Sequence, residues 1–243
     1  MAIFKSLTFD GVNSLEYGIY ITGEAVYNAP ERAVELVNIA GKNGALVLDQ
    51  GRFENIEVTY HAGCFADNQE DFARKVMEFR NVLASRFHYV RLSDDYHSDE
   101  YRMALYKDGL EVEAVQYSTA GEFDITFNCK PQRFLASGES QKTMTSGGSL
   151  TNPTLFPSKP LIVANGSGNI GIGNVAITIT GITGDIYIDC ETMEIYTLEG
   201  VVATGASSHV SFNSNDFPTI PAGTTTVTFN TESLKITPRW WRI

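Results

Sequence analysis

Residues 36–63 read LVNIAGKNGALVLDQGRFENIEVTYHAG, and this stretch decides how the first half of the chain folds. Asn43 and Gly44 stand between two apolar runs, 34–39 and 45–48. Both central residues of a type I′ turn need positive φ, so an Asn-Gly pair in this setting predicts a two-stranded hairpin with its turn on Asn43-Gly44.

The spacing of the apolar residues changes after the hairpin. Run 53–61 alternates apolar with polar residues and predicts a half-buried strand. From 67 to 84 the apolar residues recur at helical spacing, which predicts one amphipathic helix with Asp67 as its N-cap. The apolar positions of this helix are Phe72, Val76, Phe79 and Leu83. A single helix beside many strands must pack its apolar stripe against a sheet.

The second half of the chain is β in character throughout. Between Ala136 and Lys159 the composition shifts to Ser, Thr and Gly with two prolines, which indicates a domain boundary. Beyond Pro160, short alternating runs are separated by Gly or Asn turns, a pattern typical of an antiparallel sandwich. We therefore expect two domains, 1–136 with the helix and 137–243.

Charge and composition exclude several classes of protein. The 243 residues carry a net charge of −11, so broad binding to nucleic acid phosphates is not expected. No apolar run reaches the roughly 18 to 20 residues that span a bilayer, and no signal peptide is recognisable, so we expect neither membrane insertion nor secretion. The three cysteines lie far apart without a C-x-x-C pair, which favours neither disulfides nor zinc.

Two patterns could carry chemistry, and each has a simpler interpretation. Residues 166–171 fit G-x-G-x-x-G, but a dinucleotide site needs a helix next, and 175–180 alternates like a strand. The acidic loop 93–100 could be imagined as a metal site or a carboxylate pair, but its spacing matches neither, and solvated hairpin residues are the simpler interpretation. No catalytic, metal-binding or cofactor-binding residue is predicted.

Three aromatic residues of the second half are candidates for surface contacts. Trp240 and Trp241 are adjacent, and adjacent side chains of a strand point to opposite faces. One is expected in the core and the other at a seam or interface, with a saccharide-stacking surface as the alternative for the exposed one. Tyr187 is the third candidate for a saccharide or partner contact.

The order and spacing of these segments resemble the distal tail proteins of long-tailed, non-contractile bacteriophages, the siphovirus tail component family. The resemblance in the first half rests on 39–44 (IAGKNG), 49–56, the helix after that strand and 123–131 (FDITFNCKP). In the second half it rests on 152–160, 165–168, 187–190, 221–223 and 238–243 (PRWWRI). Together these segments cover nearly the whole chain.

The resemblance implies a mainly β protein with two parts. The first would be an N-terminal β-sandwich with one α-helix and a projecting β-hairpin, and the second a galectin-like or carbohydrate-binding-module-like antiparallel sandwich. It also implies a structural protein and not an enzyme. Such a protein would form a homo-hexameric ring in the virion tail, after assembly in the cytoplasm of the bacterial host.

The partners that the resemblance implies are the tail tube protein, the tail tip or tail-associated lysin, and the baseplate and receptor-binding proteins. The genome would pass through the ring without specific binding, which suits an acidic chain. A head-to-tail contact repeated with a closing rotation makes a ring, and a hairpin that reaches a neighbour can add strand pairing. The expected interface residues are Lys42, Asn43, Gly44, Ala45 and Leu46.

The alternative function is a carbohydrate-binding module that contacts host cell-surface polysaccharide. Its contacts would come from exposed aromatic residues of the second domain, among Tyr187, Trp240 and Trp241. A small glycosidase-like enzyme is a more remote alternative.

Overall fold

The computed structural model of the chain describes residues 4–22, 27–114 and 119–243. The described residues form many short strands and one α-helix, so the expected mainly β fold is confirmed. They fall into two compact units that meet in the sequence between Arg133 and Phe134. That each unit is an independent domain, with the boundary at 136/137, stays a prediction.

The first unit contains the helix and the first ten strands, except that the last two residues of the tenth strand belong to the second unit. In chain order these strands are β1 (Leu7–Phe9), β2 (Val12–Asn13), β3 (Ile19–Thr22), β4 (Arg32–Asn38), β5 (Ala45–Phe53), β6 (Ile56–Phe65), β7 (Val90–Asp94), β8 (Glu100–Leu105), β9 (Glu113–Ala114) and β10 (Ala120–Leu135). The helix α1 spans Gln69–Ala84 and follows β6.

One curved antiparallel sheet, in the order β2-β1-β7-β8-β10-β6-β3, forms the body of the first unit. Its longest pairing joins β6 to β10, from Phe65 opposite Ala120 to Ile56 opposite Cys129. The sheet bends round until β3 reaches the chain just before β1, where the N–H of Ile21 donates to the carbonyl of Lys5 at 2.9 Å. In this unit the expected sandwich takes the form of a half-barrel.

The core of the first unit follows from alternation along its strands. Glu57 and His61 on β6 are exposed and Thr59 is half-buried, whereas the residues between them are buried. The buried residues of β6 include Ile56, Val58, Tyr60 and Ala62. The helix adds Phe72, Phe79 and Leu83 to the same core, with Val76 partly buried, so the predicted stripe is confirmed.

The helix begins one residue later than its expected cap. Asn68 is the N-cap, because its side-chain oxygen accepts the N–H of Asp71 at 2.9 Å. Asp67 instead donates its own N–H to the Asp71 carboxylate at 3.2 Å, so the prediction of Asp67 as the cap was wrong. Asn and Asp cap helices about equally well, and their sequence order alone does not choose between them.

The second unit contains the remaining strands, and all of them except the last form two antiparallel sheets. These strands are β11 (Lys142–Thr143), β12 (Gly148–Asn152), β13 (Leu161–Asn165), β14 (Gly168–Ile172), β15 (Val175–Ile179), β16 (Asp185–Asp189), β17 (Glu194–Glu199), β18 (Val202–Gly205), β19 (Val210–Phe212), β20 (Gly223–Phe229), β21 (Ser233–Thr237) and β22 (Trp241–Arg242). One sheet has the order β11-β21-β13-β16-β17-β18 and the other the order β12-β20-β14-β15-β19. Both supply branched apolar residues to one core, as in the expected antiparallel sandwich.

The end of the second unit folds back on its beginning. Trp240 is 2% exposed, and its carbonyl accepts the N–H of Leu135 at 2.8 Å. The N–H of Arg239 donates to the carbonyl of Gly138, also at 2.8 Å. A Cβ on Gly138 would lie 2.3 Å from the backbone nitrogen of Trp240, so the approach requires glycine.

Replacement of Gly138 by alanine is expected to destabilise the second unit. The added methyl group must displace the Trp240 backbone, which should cost about 1–3 kcal/mol of unfolding free energy. Urea denaturation followed by tryptophan fluorescence measures it. Gly184→Ala is the matched control, because a Cβ there meets nothing within 4 Å. Equal stability of the two variants would contradict the close approach.

An ion pair fixes the same C-terminal segment. Arg239 donates two hydrogen bonds to the carboxylate of Asp189, at 2.6 and 2.8 Å. Burial by itself would raise the pKa of Asp189, but the hydrogen bond and charge of Arg239 outweigh it, so the pKa lies below its usual range. The folded state therefore holds the carboxylate ionised at lower pH than the unfolded chain does.

This ion pair predicts a loss of stability in acid. A carboxylate whose pKa is lowered in the folded state contributes its full stabilisation of that state above the ordinary pKa of Asp, about 3.9. This contribution is lost as the pH falls through the pKa of the folded state. We expect thermal denaturation of Asp189→Asn to show lower stability than wild type at pH 7 and a smaller further loss below pH 4. Asp216→Asn, an exposed control, should follow wild type at both values. If the stabilities of wild type and Asp189→Asn fall by the same amount between pH 7 and pH 4, the ion pair does not stabilise the fold as expected.

Candidate assembly surface

Strands β4 and β5 form a two-stranded sheet of their own. Neither pairs with another strand in the part of the chain that the structure describes. Val37 lies opposite Leu46 and Asn38 opposite Ala45, with a shift in register between Arg32 and Val34. An isolated two-stranded hairpin is at best marginally stable in water, and its free edges are templates for pairing with another chain.

The loop of this hairpin comprises residues 39–44. The N–H of Lys42 donates to the carbonyl of Ile39 at 3.1 Å, which makes the first reversal of the chain. Positive φ values occur at Gly41 (78°) and Gly44 (79°). Two glycines therefore share the left-handed positions that the loop requires.

The predicted hairpin is present, but its predicted turn is wrong. A type I′ turn would need Asn43 and Gly44 both at positive φ, and only Gly44 is there. Because Gly41 supplies the other positive φ, Asn43 avoids a conformation that costs a side-chain-bearing residue more than glycine. The loop is longer as a result.

Apolar side chains cover both faces of the hairpin. Cross-strand partners share a face, so Leu36 and Val47 lie on one face, and Leu46 lies on the other with Leu48. Their exposed fractions are 63% for Leu36, 57% for Val47, 45% for Leu46 and 46% for Leu48. Contiguous exposed apolar surface of this kind marks an interaction site.

An ion pair holds the base of the hairpin. The Nε of Arg32 donates to the Asp49 carboxylate at 3.1 Å, and the N–H of Gly51 donates to it at 3.0 Å. The hydrogen bond from Arg32 lowers the pKa of Asp49. The strands are therefore joined by polar contacts near their base and present apolar side chains nearer the loop.

The structure places all five predicted interface residues at the exposed end of the hairpin. Lys42, Asn43 and Gly44 lie in the loop, and Ala45 and Leu46 begin β5. Their contact with a neighbouring subunit stays a prediction. Sequence reasoning missed Leu36, Val47 and Leu48, although the consecutive apolar residues 46–48 were a signal, since neighbours in a strand face opposite ways.

The two tryptophans occupy the two kinds of position expected of them. Trp240 is the core residue, so the prediction that it contacts a saccharide is wrong, because its ring has no free face. Trp241 is half-buried, stacks on Phe156 with ring centroids 4.6 Å apart, and donates its Nε1–H to the carbonyl of Pro157 at 2.9 Å. These contacts make Trp241 chiefly a packing residue.

Tyr187 belongs to a stacked pair on the outer face of its sheet. Its ring lies parallel to that of Tyr196, with centroids 5.2 Å apart and planes 4° apart, and both side chains are half-buried. An open groove of about 630 Å³ borders Tyr196 and is lined also by Met193 and Leu198. The pair and the groove together could hold a flat apolar ligand face.

The acidic loop is part of the framework of the first unit. Asp94 accepts the Tyr60 hydroxyl at 2.7 Å and the N–H of His97 at 2.9 Å. Glu100 is 5% exposed, and its carboxylate lies 3.1 Å from the Nε of Arg133. The interpretation of these residues as solvated was therefore wrong for Glu100 and for Asp94, whose side chain is 8% exposed. No group of three or more His, Cys, Asp or Glu side chains among the described residues could hold a metal ion.

The glycine motif at 166–171 lies mostly in β14, which pairs with β15. The segment that follows the motif is β15 and not a helix, so the prediction of a strand at 175–180 is confirmed. None of the described helices is long and apolar enough to cross a bilayer.

The part of the sequence that forms the half-barrel, its helix and its hairpin matches the model of a known protein family. Residues 13–129 match the family model of the phage tail protein RIFT-related domain. The matched segment runs from β2 into β10 and includes β4 and β5. We refer to residues 13–129 as the RIFT-related domain, after the family model that they match. No curated protein matches the sequence of the chain.

The RIFT-related domain and the second unit together resemble solved phage proteins. The Dit protein (gp 19.1) of phage SPP1 is 15% identical with a TM-score of 0.72, over 96% of this chain and 98% of that one. The phage P2 baseplate in its activated conformation with Ca is 10% identical with a TM-score of 0.58, over 97% of each chain. The form with Sr is 11% identical with a TM-score of 0.56, over 99% of this chain and 98% of the other.

At these identities the structural likeness establishes the fold. The resemblance to siphophage distal tail proteins that the sequence predicted is confirmed by the RIFT-related domain and by the shared fold. The SPP1 protein is described as a paradigm of the hub adsorption apparatus in phages that infect Gram-positive bacteria.

Proposed function

We propose that this chain is a structural hub of a phage tail, which forms a homo-hexameric ring through its RIFT-related domains. The ring joins the tail tube to the tip or baseplate that carries the lysin and the receptor-binding proteins. It is assembled in the cytoplasm of the bacterial host and remains in the virion tail. The likeness to the SPP1 hub protein supports this role.

The single observation that carries the ring is the apolar hairpin. Leu36 and Val47 on one face, and Leu46 and Leu48 on the other, leave apolar surface in water that no described strand covers. A second copy of the chain is always available at equal concentration to cover it. Burying an exposed side chain of this size stabilises an interface by about 1.5–3 kcal/mol. A few such contacts per subunit are enough to hold a ring.

The acidic chain also fits a channel for DNA. With a net charge of −11, the ring repels the phosphate backbone more than it attracts it. The genome then passes without specific binding, and no catalytic group is required.

Polar replacement of one hairpin face should abolish the ring without unfolding the monomer. For Leu36→Ser/Val47→Ser we expect the association constant to fall at least about tenfold, since each 1.4 kcal/mol of lost burial is a factor of ten. Native mass spectrometry and negative-stain imaging report the ring, and circular dichroism reports the fold. The fold should survive because both side chains are already exposed.

The matched control for this double variant is Val201→Ser/Val202→Ser. These valines are 98% and 61% exposed in the second unit, so their change removes similar surface away from the hairpin. Rings lost equally in both double variants would contradict a specific role of the hairpin. A wild-type protein that stays monomeric at high concentration would contradict the proposed function.

A second candidate function is saccharide binding by the second unit, favoured by the stacked Tyr187–Tyr196 pair beside an open groove. Aromatic rings of this kind can stack on the apolar face of a sugar. Host cell-surface polysaccharide should then bind to wild type and not to Tyr187→Ala/Tyr196→Ala, as measured by calorimetry. Unchanged binding in that variant, or none in wild type at millimolar saccharide, would count against it.

A further inference from the structure

A second apolar surface lies on the outside of the first unit. The rings of Phe4 and Tyr20 have centroids 4.8 Å apart, and those of Tyr20 and Phe65 are stacked at 5.2 Å. Phe4 is 49% exposed and Phe65 is 55% exposed. We call these three residues the aromatic patch.

The backbone at Gly63 leaves the space that the Tyr20 ring of this patch occupies. Tyr20 on β3 lies opposite Gly63 on β6, and a Cβ on Gly63 would lie 2.5 Å from the Tyr20 hydroxyl oxygen. The missing side chain lets the tyrosine ring lie across the sheet and meet Phe65. Ile19 and Ile21, on either side of Tyr20, are buried, so the core does not need the patch. Three clustered aromatic rings outside a filled core indicate a contact surface.

Two charged side chains border the patch. One is Lys75, whose Nζ donates to the carbonyl of Phe65 at 3.1 Å and pairs with Asp71 at 2.8 Å, and the other is Glu122. Glu122 lies opposite Gly63 on the neighbouring strand β10, and its side chain is exposed. Burial and then the charge of Glu122 raise the pKa of Tyr20, as expected if the carboxylate lies near the ring. The hairpin has the complementary charge, because Lys42 is the only charged residue between 36 and 48.

A ring of identical subunits needs two different surfaces on each subunit, one that reaches forward and one that receives. The hairpin is the first of these in the proposed function. The receiving surface must be apolar to cover the hairpin, and it must lie on the ring-forming domain. The aromatic patch meets both requirements, and Glu122 beside it has the charge that suits Lys42.

We propose that the aromatic patch is the socket in which the hairpin of the neighbouring copy docks, with Lys42 directed towards Glu122. This inference rests on the proposed ring and adds the residues that receive the hairpin. The occupant is a second copy of this chain. The contact is heterologous, so its two halves can be disabled separately.

A mixing experiment tests the socket. The hairpin variant Leu36→Ser/Val47→Ser keeps an intact patch, and the patch variant Phe4→Ser/Phe65→Ser keeps an intact hairpin. Each alone should be monomeric in native mass spectrometry. Mixed in equal amounts, they should form one-to-one dimers and nothing larger, because each mixed pair retains one working contact and two disabled surfaces.

The outcomes separate this inference from the proposed function. Rings formed by the patch variant, or a mixture that stays monomeric, would overturn the socket while wild-type rings still support the hub. A monomeric wild type would overturn both. Phe65→Ser alone provides a milder change if the double variant fails to fold, and it should weaken the ring at least about fivefold by loss of one aromatic contact.

A charge exchange tests the direction of docking. Lys42→Glu and Glu122→Lys should each weaken the ring about two- to fivefold at low salt, as expected for an exposed ion pair. The double variant Lys42→Glu/Glu122→Lys restores opposite charges and should recover most of the loss. No recovery would overturn the placement of Lys42 beside Glu122. High salt should remove the differences among all three variants.

Discussion

The pairing of β6 with β10 is the interaction on which the first unit depends. It joins two long strands that are far apart in sequence, from Phe65 opposite Ala120 to Ile56 opposite Cys129. The hairpin leads into β6 and the helix follows it, so both are positioned by this one strand. The inward residues of β6 and β10 build the core, and their outward residues include Phe65 of the aromatic patch and Glu122 beside it.

The hairpin differs from β6 and β10 in its strand pairing. Its two strands have no third strand to pair with among the described residues, and apolar side chains occupy both of its faces. A monomer holds such surface in water at a cost in free energy, which a subunit contact removes. The aromatic patch carries the same kind of exposed surface on the same unit. The proposed heterologous contact between copies would account for both features.

Periodicity in the sequence predicted the strands and the helix well, but the sequence predicted the hairpin turn and the helix cap less accurately. The alternation in β6 and the helical stripe of Phe72, Phe79 and Leu83 predicted which side chains are buried, because burial on one face follows directly from the geometry of strand and helix. The turn and the helix cap were wrong by a few residues. Neighbouring residues compete for such positions, Gly41 with Asn43 and Asn68 with Asp67, and the energies that separate them are small.

The candidate site was only partly predictable for a different reason. The Asn-Gly signal located the hairpin, but Tyr20 and Phe65 are distant in sequence and meet only because β3 pairs with β6 beside the side-chain-free Gly63. Sequence likewise could not tell that Glu100 is buried or which tryptophan faces the core.

By itself, the sequence determined the mainly β class, the single helix and the presence of the hairpin, since these follow from local periodicity and turn residues. The tertiary structure alone decided which apolar residues remain exposed, because exposure depends on what the rest of the chain covers. For this protein the residues left uncovered, on the hairpin and on the aromatic patch, are the ones from which its assembly is inferred.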